Sequence, residues 1–149
     1  MINDNLKLRG DVALVLKDKD GNIKESREIN NLVVTAGLTF ICARMAAASA
    51  NVMSHMALGS STTAAAAGQT DLVSILGSRE ALDSTSASAN TITYVSSFEA
   101  GEGTGAVTEA GIFNAASSGT MLCRTVFAVV NKQADDTMSV TWTITLSAS

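Results

Sequence analysis

Thr137-Met138-Ser139-Val140-Thr141-Trp142-Thr143-Ile144-Thr145-Leu146 alternates a hydroxyl side chain with an apolar one at every step. A period of two is the period of a β-strand, whose successive side chains point to opposite faces of a sheet. One face of this strand is buried and the other is wet, and its β-branched residues suit extended backbone. Immediately before it, Met121 to Val130 is nearly all apolar, which predicts a strand covered on both faces, and Lys132 to Asp136 reads as the turn between the two. Val107 to Asn114 is a further strand, followed by a turn at Ser117-Ser118-Gly119. Ile92, Tyr94 and Phe98 alternate with Thr91, Thr93 and Ser97 in another, and Gly101-Glu102-Gly103-Thr104-Gly105 forms the turn after it. Short turns between strands predict an antiparallel meander over residues 91–147.

The other end of the chain opens with a second alternating stretch. Leu6, Leu8, Val12, Leu14 and Leu16 occupy even positions, and Lys7, Arg9, Asp11 and Lys17 occupy odd ones. Asp18-Lys19-Asp20-Gly21-Asn22 supplies turn chemistry, and Ile23 to Ile29 returns as the second strand of a hairpin within residues 1–30. Residues 31–51 read as a helical insertion. Thr35 is the expected N-cap of a helix from Ala36 to Ala48, with Leu38, Ile41, Met45 and Ala48 as its apolar stripe and Arg44 off it. Val52 to Leu58 is a short strand, residues 59–68 a low-complexity connection, Leu72 to Leu76 a short turn or strand, and residues 77–90 an exposed loop. The fold class that follows is all-β: a single domain over residues 1–149, an antiparallel β-sandwich or jelly roll of about seven strands with one short α-helix.

Composition narrows the function. The chain has 149 residues, of which 46% are apolar and 16% charged, with no proline and a net charge of −4. Soluble domains average about 25% charged residues. Ten basic residues argue against a nucleic-acid binder that works through a basic face, and the apolar content argues against a disordered chain. The charge is unevenly placed: residues 1–30 hold six basic and six acidic side chains, whereas the following 119 hold four and eight. Ala, Ser and Thr supply 56 residues. A long stretch so poor in charge either meets other protein, as in a subunit of a large assembly, or is solvated by its Ser and Thr hydroxyls, and the first is the favoured reading. Cys42 and Cys123 are far apart and lack a CxxC pattern; one bridge between them is an alternative, and small apolar core residues are the favoured reading. The start of the chain has no basic and apolar pattern of a secretory signal, and Leu32 to Ala50 is too short and too polar to span a bilayer.

The chemistry-bearing residues are sparse. His55 is the single histidine and has no nucleophile motif beside it. Asp18-x-Asp20-Gly21-Asn22 has the look of a calcium loop but lacks the third ligand before its glycine and the distal glutamate, which favours a hairpin turn. Gly101-x-Gly103-x-Gly105 has no helix after it to cradle a phosphate. Glu99, Glu102 and Glu109 raise the possibility of paired carboxylates, but with six aromatics in the whole chain they read as solvated turn acids. Trp142 and Tyr94 read as core. The expectation is no catalytic centre, no cofactor and no metal site.

Three segments carry a resemblance. Leu32-Val33-Val34-Thr35-Ala36-Gly37-Leu38, then Met56-Ala57-Leu58-Gly59-Ser60-Ser61-Thr62-Thr63-Ala64-Ala65 leading to Thr70-Asp71-Leu72, then Glu109-Ala110-Gly111-Ile112-Phe113-Asn114 resemble segments of small structural proteins of tailed bacteriophages. The resemblance runs from about residue 30 to the C-terminus. It implies a non-enzymatic virion protein, made in the host cytoplasm. The favoured role is a cement or decoration protein that binds the outside of the icosahedral capsid. The alternative is a tail, collar or short-fibre module. The partners so implied are the major capsid protein and copies of the chain itself, as a homodimer or homotrimer, with no direct nucleic acid and no membrane. Residues 46–51 and 60–68 are the expected contact segments, and residues 1–5 an arm toward an adjacent subunit.

Overall fold

The computed structural model describes residues 5–46 and 50–148. Ten strands and one helix follow one another as β1 (Leu6–Lys17), β2 (Ile23–Asn30), β3 (Leu32–Val33), α1 (Thr35–Met45), β4 (His55–Gly59), β5 (Glu80–Ala81), β6 (Ser84–Ser88), β7 (Thr91–Phe98), β8 (Gly105–Phe113), β9 (Met121–Lys132) and β10 (Thr137–Ala148). They form two five-stranded antiparallel sheets, in the orders β2-β1-β10-β7-β6 and β3-β9-β8-β4-β5. The architecture is an all-β sandwich. Among the described residues no helix is long and apolar enough to cross a membrane.

Alternation in sequence becomes two rows of side chains in space. In the first sheet Val12 lies opposite Trp142, and Trp142 opposite Tyr94; Leu16 lies opposite Met138, and Met138 opposite Phe98. All six are buried, and they meet Met56, Leu58, Val107, Ile112 and Leu122 of the second sheet in one core. Trp142 and Tyr94 are core residues, as the alternation required. The hydroxyl partners Thr141 and Thr143 face outward on β10, and the Thr143 hydroxyl lies 3.4 Å from that of Thr93 on β7. β9 is buried on both faces from Met121 to Thr125, as its apolar run predicts, and opens to solvent at Ala128 and Val129.

Four expectations are corrected. Residues 91–147 are not a meander: the chain leaves the first sheet after β7, forms the β8–β9 hairpin in the second, and returns as β10 between β1 and β7. Turn positions mark where a chain reverses but carry no information on which sheet it rejoins. Residues 77–90 contain β5 and β6 instead of a continuous loop, and β6 pairs with β7 from Ser84–Val95 to Ser88–Thr91. Every residue of β6 is exposed, so it shows no apolar period to read. The helix begins at Thr35 with Val34 as its N-cap, and no side chain caps it. Its predicted stripe also fails, because Leu38 and Met45 are exposed whereas Gly37 is buried. Gly37 sits on the backbone of Leu122 in β9, with no room for a Cβ, and close backbone contact outweighs side-chain periodicity there. The predicted helix end at Ala48, part of segment 46–51 and residues 1–4 of the N-terminal arm lie outside the described residues.

Candidate contact surface

Residues 60–74 have no regular secondary structure, yet their backbone is held at many points, and the holder is Glu109. Glu109 sits on β8 with no exposure, opposite Gly59 of β4 and Val126 of β9. Its Oε1 accepts the amide protons of Ser74 at 2.7 Å and Ser61 at 3.3 Å. Its Oε2 accepts that of Val73 at 3.1 Å. Arg124 of β9, equally buried, donates its Nε to the same Oε2 at 2.9 Å, with Nη2 2.8 Å away. The Arg124 Nη1 then donates outward to the carbonyl of Thr63 and to the Gln69 side chain, each at 3.0 Å. Gln69 in turn accepts the amide of Ala66 at 3.0 Å and donates to the carbonyl of Ala64 at 3.3 Å. The hydroxyl of Thr108 donates to the carbonyl of Ser61 at 2.8 Å. Gly59 is required at the root of the loop, where a Cβ would run into the Glu109 carboxylate.

A buried carboxylate needs a counter-charge and hydrogen bonds to offset its lost hydration. Glu109 has both, and neither oxygen is left for acid–base work. The expectation that it is a solvated turn acid is overturned. It lies inside β8 and not in the turn before it, and its charge is used to hold a loop. Glu99 and Glu102 do lie in the β7–β8 turn, where the Glu102 carboxylate accepts the Glu99 amide at 2.8 Å.

The same device recurs twice. Arg79, with a side chain only 6% exposed, lies over the Phe113 ring at 3.6 Å and donates to the carbonyls of Ala115 and Ser118 at 2.9 and 2.7 Å. Lys132, 1% exposed, donates to the carbonyls of Glu99 and Asp136 at 2.9 and 2.6 Å, which ties the β7–β8 and β9–β10 turns together. Burial lowers the Lys132 pKa against the opposing pull of Asp136. Asp136 is itself held below the usual carboxylate range, first by its hydrogen bond from Lys24 at 2.7 Å and next by the Gln133 amide. Three of the four cations beyond residue 30 are therefore turned inward to backbone carbonyls. Sequence reading passed over Arg79, Arg124 and Lys132. A lone base inside an apolar strand, as in Leu122-Cys123-Arg124-Thr125-Val126, is the signal that could have found the second of them.

The remaining predicted residues lie elsewhere. His55 opens β4, with its Nδ1 2.7 Å from the Ser54 hydroxyl. The Asp18 carboxylate is occupied by its own turn: it accepts the amides of Asp20 and Asn22 at 2.9 Å each, and the Asn22 backbone first of all holds its pKa down. Both cysteines are free thiols; Cys123 is buried, and burial pushes its pKa up, whereas Cys42 is exposed and is no core residue. Among the described residues no group of three or more His, Cys, Asp or Glu side chains is placed to hold a metal ion.

What remains outward is a run of small side chains on a fixed backbone. Thr62, Thr63, Ala64, Ala66 and Ala67 are exposed, and residues 60–70 contain no charge. The segments around Met56 and Glu109 are physically one unit here, since Met56 to Gly59 pairs with Glu109 to Ile112 and Glu109 holds the residues that follow. Comparison with protein-family models, curated proteins and solved structures gave no match.

Proposed function

We propose that this chain is a non-enzymatic structural protein of a tailed-phage virion, a cement protein that binds the outside of the icosahedral capsid and stabilises the expanded shell. The observation that carries the reading is the uncharged surface of residues 60–70, exposed in its side chains and held in its backbone by Glu109 and Arg124. A surface ordered before contact loses little entropy on association, and small side chains have little to lose. A protein that binds only the expanded shell stabilises that state in proportion to its differential affinity, and many copies on a lattice add through multivalency. The partners on this reading are the major capsid protein and further copies of the chain. The test is the copy number per purified particle relative to the major capsid protein, by quantitative mass spectrometry. A ratio near one shell subunit supports cement. A few copies per particle move the protein to the tail, collar or fibres, and its absence from the particle overturns both.

A further inference from the structure

We propose that β6 is a self-pairing edge through which two copies of this chain join their first sheets into one. This goes beyond the capsid reading and does not depend on it. β6 is the last strand of its sheet, and its five residues, Ser84-Thr85-Ser86-Ala87-Ser88, are all exposed and uncharged. An exposed strand edge without charge or proline is a template for another strand, and proteins ordinarily block such edges. The opposite edge of the same sheet is blocked in that manner: β2 carries Lys24, Glu25, Arg27 and Glu28. The edges of the second sheet, β3 and β5, are two residues each. β6 is thus an end strand of useful length that no charge blocks among the described residues.

The occupant follows from the side chains. Ser-Thr-Ser-Ala-Ser reads nearly the same in both directions, so a two-fold axis at Ser86 places Ser84 opposite Ser88, Thr85 opposite Ala87 and Ser86 opposite itself. No like charges meet. The nearest acid, Asp83, falls at opposite ends of the joined ladder in the two copies, roughly 20 Å apart at the rise of an antiparallel strand, well beyond the Debye length. Behind β6 lies an apolar groove of about 560 Å³, walled by Thr85 and Ala87 on one side and by Phe40, Ile41 and Met45 of α1 on another. Met45 and Val52 at its rim are 82% and 59% exposed. The two-fold axis keeps the inner faces of both sheets on one side, so each groove opens toward its counterpart and the rim residues are covered. Strand pairing supplies register and the groove supplies apolar burial, the two parts that strand-addition interfaces combine.

The test uses the full chain in solution. Sedimentation velocity is expected to give a dimer, and Ala87→Lys, which puts a charge on the groove side of the edge, is expected to leave only monomer. In a Cys42→Ser background, Ser86→Cys is expected to form an intermolecular disulfide on mild oxidation. Residues directly opposed across antiparallel strands have Cα atoms about 4.5–5.5 Å apart, within disulfide reach. Ser26→Cys on β2 is the control and is expected to stay monomeric. A wild-type chain that stays monomeric throughout the micromolar range overturns the proposal. So does a dimer that survives Ala87→Lys or cross-links no faster at Ser86 than at Ser26. Should Ala87→Lys fail to fold, the cross-linking comparison decides alone.

Discussion

Glu109 is the residue on which most of the second sheet's outer layer depends. It neutralises Arg124 and accepts three loop amides, so removing its charge leaves an uncompensated guanidinium with no exposure. Breaking one side of a buried pair costs about 3–5 kcal/mol. Glu109→Gln is therefore expected to lower unfolding stability by that order, read as a lower urea midpoint at unchanged slope. Adding Arg124→Met to that variant is expected to restore part of the loss, because the orphaned charge goes with it; a double variant whose loss equals the sum of the single ones would show that the two residues act independently. Asp136 gives a pH prediction. Its folded pKa is depressed, chiefly by Lys24, so its contribution is full above the ordinary value of 3.8 and is lost as pH falls through the lowered one. Asp136→Asn is expected to flatten the acid limb of the stability profile while leaving the slope above pH 5 unchanged, measured by thermal melts across pH.

At the scale of elements, the helix and the edge strand behave least as their sequences suggest. The helix is held by Gly37 against the Leu122 carbonyl, so Gly37→Ala forces α1 off β9. Overpacking of this kind costs about 1–3 kcal/mol. A matching drop in melting temperature is the expected result, despite the higher helix propensity of alanine; a rise would contradict the packing. The long strands were legible because each buries one face, and burial writes a period of two into β1, β7 and β10. β6 buries neither face, so composition alone could not tell it from a loop. Leu38-x-x-Ile41-x-x-x-Met45 carries a helical period, but the contact that places α1 is made by a residue with no side chain. The contact surface was half legible. Residues 60–68 were recognised as small and uncharged, but not as fixed, since a strand glutamate and a strand arginine fifteen positions apart show their pairing only once β8 and β9 are adjacent.

For the whole molecule, the distribution of charge takes on a different meaning from the one its sequence suggested. The segment after residue 30 is poor in charge, and much of what it has is spent inside. Arg79, Arg124 and Lys132 each bind backbone carbonyls, and Glu109 and Asp136 are buried beside two of them. The outer surface of that segment is left with small side chains, apolar ones such as Leu38, Met45, Val52 and Val73, scattered acids and Arg44 as its exposed cation among the described residues. Loops fixed from within and left uncharged without are what a protein needs if it is to meet a rigid lattice on a preformed surface. The account therefore stands on residues 60–74 being ordered in the free protein. Amide hydrogen exchange measures this directly. Ser61, Val73 and Ser74 are expected to exchange almost as slowly as the β8–β9 ladder in the wild type, and to lose that protection in Glu109→Gln while β1 and β10 keep theirs. Exchange of these three amides at the rate of an unstructured peptide in the wild type would contradict it.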